Sequence, residues 1–138
     1  MNPEDAIEAI IETIKFDKTG DGLVPVVVQD SETNAVLMLG FMNREALKKT
    51  LSEGKVTFWQ RSRQKLWTKG DTSGNVLVFQ SLRVNCNEDS LLVLVRPVGA
   101  TCHTGHPTCY YREFSPDHGD WNVITERQFD PDDVYGKG

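Results

Sequence analysis

Cysteine and histidine are scarce, with three of each in 138 residues. A small, odd number of cysteines argues against a closed disulfide framework of the kind that staples small secreted domains. Long apolar runs are missing as well. The longest, such as LLVLV at 91–95, are strand-length and fall far short of the roughly 20 residues a membrane span needs. The opening segment MNPEDAIEAIIETIKF has no basic n-region and no uninterrupted apolar stretch, so it does not read as a signal peptide. The expected compartment is the cytoplasm, where thiols stay reduced. Positive charge is in deficit: 15 Lys and Arg stand against 20 Asp and Glu, for a net charge of −5. Attraction of the whole protein to nucleic acid or to an anionic membrane is therefore not expected, and only a local basic patch remains to meet phosphate. There is no linker, repeat or low-complexity tract. The length suits one compact domain over 1–138 with a core large enough to need no staples.

Hydrophobic periodicity supplies the elements. Ala6, Ile7, Ile10, Ile11 and Ile14 recur at helical spacing, which predicts a helix over 3–15. Asn2 is its expected cap and Pro3 its first residue, with Glu4 and Asp5 at the positive end of the dipole. LVPVVVQD and AVLMLGF, separated by SETN, predict two strands joined by a turn. Asn43 should cap a second helix through REALKKTLSEG, stopped by Gly54. From Lys55 onward, KVTFWQR, NVLVFQSLRV and SLLVLVRP read as strands, with KGDTSGN a polar loop. WNVITERQF offers one more strand, and DPDDVYGKG reads as a loose end. The expected fold is α+β: a single domain with two helices and a mostly antiparallel sheet.

Three clusters carry chemistry. Cys86, Cys102 and Cys109 are spaced too widely for a zinc ribbon, whose close CxxC pairs are absent. Three thiolates plus a water would suit a catalytic zinc instead, and a zinc-held water ionises near pH 7. The bland alternative is that each cysteine fills core space. His103 and His106 beside Cys102 and Cys109 favour metal, whereas His118 in SPDHGD reads as a solvated loop residue. Around Cys86, an extended backbone would put the oxygens of Asn85, Asn87 and Asp89 on one face, a donor set for a hard cation such as magnesium. The alternative there is a polar turn. Arg61, Arg63, Lys65 and Lys69, interleaved with Trp59 and Trp67 and followed by a Gly-Asp-Thr-Ser-Gly loop, suit phosphate, ribose and a purine face. Their alternative is a solvated hairpin with a cationic edge.

GFMNREAL, SRQKLWTKGDTSGN, NCNEDSLLVLV and CHTGHPTCYYR together resemble phosphoribosyl-AMP cyclohydrolase, over roughly residues 24–112 and in family order. The tail FDPDDVYGKG fits as well. The resemblance implies a hydrolase of histidine biosynthesis in which water attacks C6 of the substrate's adenine ring and opens the N1–C6 bond. It implies zinc held by Cys86 of one chain with Cys102 and Cys109 of its partner in a homodimer, and His103 as ligand or general base. It further implies that Arg61, Arg63, Lys65 and Lys69 meet two phosphates of a small nucleotide substrate, while Trp67 and the 70–75 loop, including Ser73, shape the pocket. Where the family carries Asp-Cys-Asp-x-Asp for magnesium, this chain has Asn85-Cys86-Asn87-Glu88-Asp89. Two negative charges are missing, so magnesium affinity should fall sharply. That departure leaves room for a divergent relative that binds zinc or a purine nucleotide without this turnover, or that acts on another purine nucleotide. A nucleic-acid-binding zinc module is opposed by the net charge and the cysteine spacing.

Overall fold

The computed structural model describes residues 2–135. Helix α1 spans Pro3–Thr13 and α2 spans Arg44–Glu53. Both caps are the expected ones: Asn2 accepts from the Asp5 N–H and Asn43 from the Ala46 N–H, each at 2.8 Å. Gly54 ends α2 at φ 78°, a left-handed cap that glycine adopts without strain.

The central sheet has four strands: β1 (Val24–Asp30), β2 (Val36–Met42), β5 (Leu77–Val84) and β6 (Leu91–Pro97), in the order β2-β1-β6-β5. β1–β2 and β5–β6 are antiparallel, while β1 and β6 are parallel, Val26 lying opposite Leu91. The sheet is thus mostly, not wholly, antiparallel. Val24, Val26 and Val28 of β1 are buried at alternate positions, as a strand with one face on the core requires. With Leu91, Val93 and Val95 of β6 they meet Ile11 of α1 and Ala46 and Leu47 of α2 in one continuous core.

A separate hairpin of β3 (Thr57–Gln60) and β4 (Lys65–Thr68) packs beside β2 and α2. Thr50 of α2 anchors it: its hydroxyl accepts from the Thr57 N–H at 2.9 Å and lies 2.9 Å from the Ala46 carbonyl. A second hairpin, β7 (Arg112–Ser115) with β8 (Asp120–Val123), is exposed and carries the tilted Phe114–Trp121 pair. The expected strand in WNVITERQF corresponds to β8; its partner β7 has no apolar alternation and escapes the pattern.

The two-helix expectation is corrected by a third helix, α3 (Pro131–Tyr135), in the tail that read as a loose end. Asp130 starts it by accepting the Asp132 N–H at 2.9 Å. It is one short turn, too brief for an apolar stripe to announce it. The last residues, 136–138, lie outside the described residues.

Candidate active site

β6 leads directly into the loop 98–111, which carries two of the three cysteines. Its fold is locally determined. The Cys102 N–H donates to the His106 carbonyl at 3.1 Å, and Gly105 N–H donates to the Cys102 carbonyl at 3.0 Å. Gly105 sits at φ 93° against the Phe129 carbonyl, in space a Cβ would occupy. The far end of the loop is tied to β2: the Thr108 hydroxyl donates to the Val36 carbonyl at 2.7 Å, and the Cys109 N–H to the Leu37 carbonyl at 2.7 Å. These ties bring the two thiols together. Cys102 is buried and receives the Thr104 hydroxyl on its sulfur at 3.0 Å. Cys109 is exposed as a residue, and its thiol lies within hydrogen-bonding reach of Cys102. Burial, then the charge and hydrogen bond of Cys102, push the Cys109 thiol up to about 12; Lys69 opposes the shift. The Cys109 sulfur does not readily carry a negative charge in this position without a cation beside it.

Lys69 completes this cluster. It is only 6% exposed. Burial lowers its pKa, while Cys109 and Cys102 act in the opposite sense. Sequence reasoning grouped it with the exposed cations of the β3–β4 hairpin and missed its burial.

The histidines separate. His103 is exposed next to Cys102. His106 is buried, its Nδ1 2.8 Å from the Thr125 hydroxyl and its ring stacked on Tyr111 at 4.0 Å. One ring face and one nitrogen are therefore engaged within the protein, which suits a structural role. His118 lies exposed in the β7–β8 turn, as expected.

Cys86 stands apart from the other two thiols. It is exposed in the β5–β6 turn, at the opposite end of β6 from Cys102. A seven-residue strand separates the two ends, or about 20 Å at the usual rise per residue. Among the described residues no three His, Cys, Asp or Glu side chains form a metal-holding group. The segment around Cys86 is a turn, with Glu88 at φ 58°, and not the extended backbone that would align Asn85, Asn87 and Asp89. The Asn85 side-chain oxygen accepts the Asp89 and Ser90 N–H groups at 2.9 Å each, and its amide donates to the Asp89 carboxylate at 2.6 Å. Asp89 also pairs with Lys18 at 2.9 Å. These two hydrogen bonds hold the Asp89 carboxyl below its usual range.

The groove lies between β2 and the β3–β4 hairpin, with a volume of about 610 Å³. Gly40, Phe41, Phe58, Gln60, Arg61 and Trp67 contribute to its walls. The Arg61 guanidinium stacks 3.9 Å over the Phe41 ring. Arg63 and Lys65 are exposed on the same hairpin. Trp67 is shared with a smaller recess of about 90 Å³ formed with Lys69, Gly70, Thr72 and Ser73. The groove therefore joins an aromatic wall and a cationic rim, while β2 links it to the thiol loop at Leu37. Among the described residues, the buried side-chain oxygen of Gln60 and the hydroxyl of Thr101, next to Cys102, have no hydrogen-bond partner. Gly40 and Phe41 carry no reactive side chain and entered the sequence reading only through the strand AVLMLGF and the motif GFMNREAL.

Residues 38–111 match the family model described as phosphoribosyl-AMP cyclohydrolase. A phosphoribosyl-AMP cyclohydrolase of Desulfatibacillum aliphaticivorans is 50% identical over 125 residues, covering 90% of this chain and 98% of that protein. One from Pelotomaculum thermopropionicum is 47% identical over 127 residues, covering 92% and 96%. The histidine biosynthesis bifunctional protein HisIE of Photobacterium profundum is 56% identical over 102 residues, and that match spans 49% of its length, so this chain corresponds to about half of that relative. By the extent and identity of these matches, the chain belongs to the phosphoribosyl-AMP cyclohydrolase family.

Proposed function

We propose that this chain hydrolyses phosphoribosyl-AMP in histidine biosynthesis, opening the adenine ring between N1 and C6 at a zinc site shared by two copies of the chain. The contact between Cys102 and Cys109 beside an aromatic, cationic groove carries the proposal. The donor chemistry fits zinc: soft sulfur ligands, poorly ionised alone, become thiolates when a dication sits between them. Cys102 and Cys109 would hold it with Cys86 of a second copy, since about 20 Å of β6 keeps a chain's own Cys86 away. The exposed Phe114, Trp121 and Val123 of the second hairpin supply apolar surface suited to such a homodimer. Bound zinc would supply a water that ionises near neutral pH.

The chain's own residues do the remainder. Trp67, backed by the buried Phe58, offers a face for the purine, Gln60 an oxygen without a protein partner, and Arg61, Arg63 and Lys65 a rim for the two phosphates. Ser73 lines the recess next to Trp67. His103, exposed beside Cys102, moves the proton: the water oxygen bonds C6 as the N1–C6 bond breaks, and N1 takes up a proton. Reduced thiols in such a site accord with a cytoplasmic location.

Magnesium does not fit the Cys86 turn. Asn85 spends its oxygen on two N–H groups, and Lys18 already balances Asp89. The test is an absorbance assay of ring opening with purified, zinc-loaded protein. Turnover of phosphoribosyl-AMP supports the proposal. Stoichiometric zinc without turnover, with or without magnesium, favours the divergent zinc- or nucleotide-binding relative.

A further inference from the structure

Phe41 and Arg61 both line the groove, one from β2 and the other from the turn of the β3–β4 hairpin, and they meet. The Arg61 guanidinium carbon lies 3.9 Å from the centre of the Phe41 ring. The other cation–ring pairs among the described residues are wider, at 5.1, 5.6 and 5.9 Å. The backbone is fixed on each side of the contact. Phe41 is half-buried in β2, opposite Pro25 of β1. Next to it, Gly40 has no side chain, and the Phe58 ring of β3 fills the space a Cβ would need. That glycine lets the hairpin close on β2. Arg61 opens the turn 61–64, across which Gln60 pairs with Lys65. Gln64 takes φ 51° there, and its side-chain amide donates to the Arg61 carbonyl at 2.8 Å. Among the described residues no carboxylate lies within ion-pair distance of Arg61. Arg44 differs: it has a ring contact with Phe16, but its guanidinium also pairs with Asp17 at 2.8 Å.

An arginine on an exposed turn ordinarily samples many rotamers, and ordering it for a ligand weakens binding. A ring beneath the guanidinium removes part of that cost in advance. Stacking uses the flat face of the group and leaves the N–H donors in its plane for another partner. Two of those donors at a time match the oxygens of a phosphate. We propose that Phe41 is a positioning residue for the nucleotide: its ring holds Arg61 as the pre-oriented phosphate ligand of the groove. This rests on the nucleotide reading above. Arg63 and Lys65 are exposed and have neither a ring nor a carboxylate against them among the described residues, so they add charge without a fixed direction. Phe41 meets no reacting atom and acts through Arg61.

The test uses AMP and adenosine, which differ by one phosphate. Their binding is measured by titration calorimetry on wild type, Phe41→Leu, Phe41→Tyr, Arg61→Ala, Arg61→Lys and the double variant Phe41→Leu/Arg61→Ala. Wild type should prefer AMP. Phe41→Leu should weaken AMP on the order of fivefold, the effect of one cation–ring contact, and leave adenosine unchanged. Phe41→Tyr keeps the ring and should keep the preference. Arg61→Ala should weaken AMP on the order of tenfold or more, and adding Phe41→Leu to it should cost nothing further. In steady state Phe41→Leu should raise KM for phosphoribosyl-AMP with little change in kcat, because a remote phosphate contact is the same in the ground and transition states. Equal weakening of AMP and adenosine by Phe41→Leu would make Phe41 a wall for the base and overturn the inference. So would a Phe41→Leu effect that survives undiminished in the Arg61→Ala background, or unchanged AMP affinity in Phe41→Leu. If Phe41→Leu fails to fold, Arg61→Lys decides: it keeps the charge without the planar fork, and wild-type AMP affinity there would overturn the inference while a clear loss would support it. If wild type itself binds AMP no better than adenosine, the nucleotide reading fails and this inference with it; a preference that needs Arg61 but not Phe41 refutes only this inference.

Discussion

Gly40→Ala tests how closely the groove between β2 and the β3–β4 hairpin is built. Gly40 is in β2, opposite Val26 of β1, and faces the β3–β4 hairpin. A Cβ on Gly40 would lie 2.5 Å from Cδ1 and 2.6 Å from Cε1 of Phe58. Phe58 is 2% exposed, so its ring has no solvent to retreat into, and Trp67 packs on it with centroids 6.1 Å apart. Overpacking of this kind costs about 1–3 kcal/mol. Gly40 does not have a positive φ, so alanine adds no backbone strain, and the stiffer unfolded chain returns about 0.4–1 kcal/mol. The net cost is about 1–2 kcal/mol, a fall in Tm of about 3–8 °C for a domain of this size. Because Phe58 and Trp67 both line the groove, the displaced rings should also raise KM for the nucleotide more than they lower kcat. Thermal melts and steady-state kinetics read the two effects. Phe58→Leu makes room, so Gly40→Ala should cost less in that background. A Gly40→Ala protein as stable as wild type, or one whose penalty is undiminished by Phe58→Leu, would refute the reasoning.

Thr50→Val removes the hydroxyl that accepts the buried Thr57 N–H at 2.9 Å; the orphaned donor should cost about 1–3 kcal/mol in urea unfolding, and Thr50→Ser should cost clearly less. Asn85→Asp with Asn87→Asp replaces an amide that donates to Asp89 at 2.6 Å by a carboxylate; the variant should melt lower in chelator and regain stability in millimolar magnesium, while wild type stays indifferent to magnesium. Cys109 gives a pH dependence. Its thiol rises from the ordinary 9.0 to about 12 in the folded, metal-free chain, so the stability it contributes is complete below pH 9 and is lost as pH climbs from 9 toward 12. Urea unfolding of metal-free wild type should show that loss, Cys109→Ser should lack its share, and equal slopes in the two proteins would contradict the shift.

Elements governed by local rules were legible before any fold was known. Asn2, Asn43 and Gly54 act at α1 and α2 as their residue types dictate, and the alternating valines of β1 point where a strand requires. Long-range pairing was not legible. Nothing in LVPVVVQD or SLLVLVRP says that these two strands run parallel, because a buried strand reads the same in either direction. The exposed β7 and the five-residue α3 lack an apolar face to betray them. Within the site, the types of the cysteines raised the expectation of a metal, but their contacts depend on folding: β2 draws Cys109 to Cys102, and β6 holds Cys86 away. His103 and His106 look equivalent in sequence, yet Thr125 and Tyr111 make one structural. Asn85 and Asp89 have the oxygens of a cation site, but a turn spends them internally.

The proposal of a zinc centre shared by two copies is tested most directly by mixing two defective proteins. Cys86→Ala and Cys109→Ala chains, each folded and each inactive alone, are unfolded together and refolded with zinc. Random pairing makes half of the dimers mixed, and in a mixed dimer one site has both lesions and the other has none. The account predicts recovery of about a quarter of wild-type activity and of tightly held zinc, from that statistical pairing of a two-fold dimer. No recovery from a mixture that contains folded mixed dimers would contradict it.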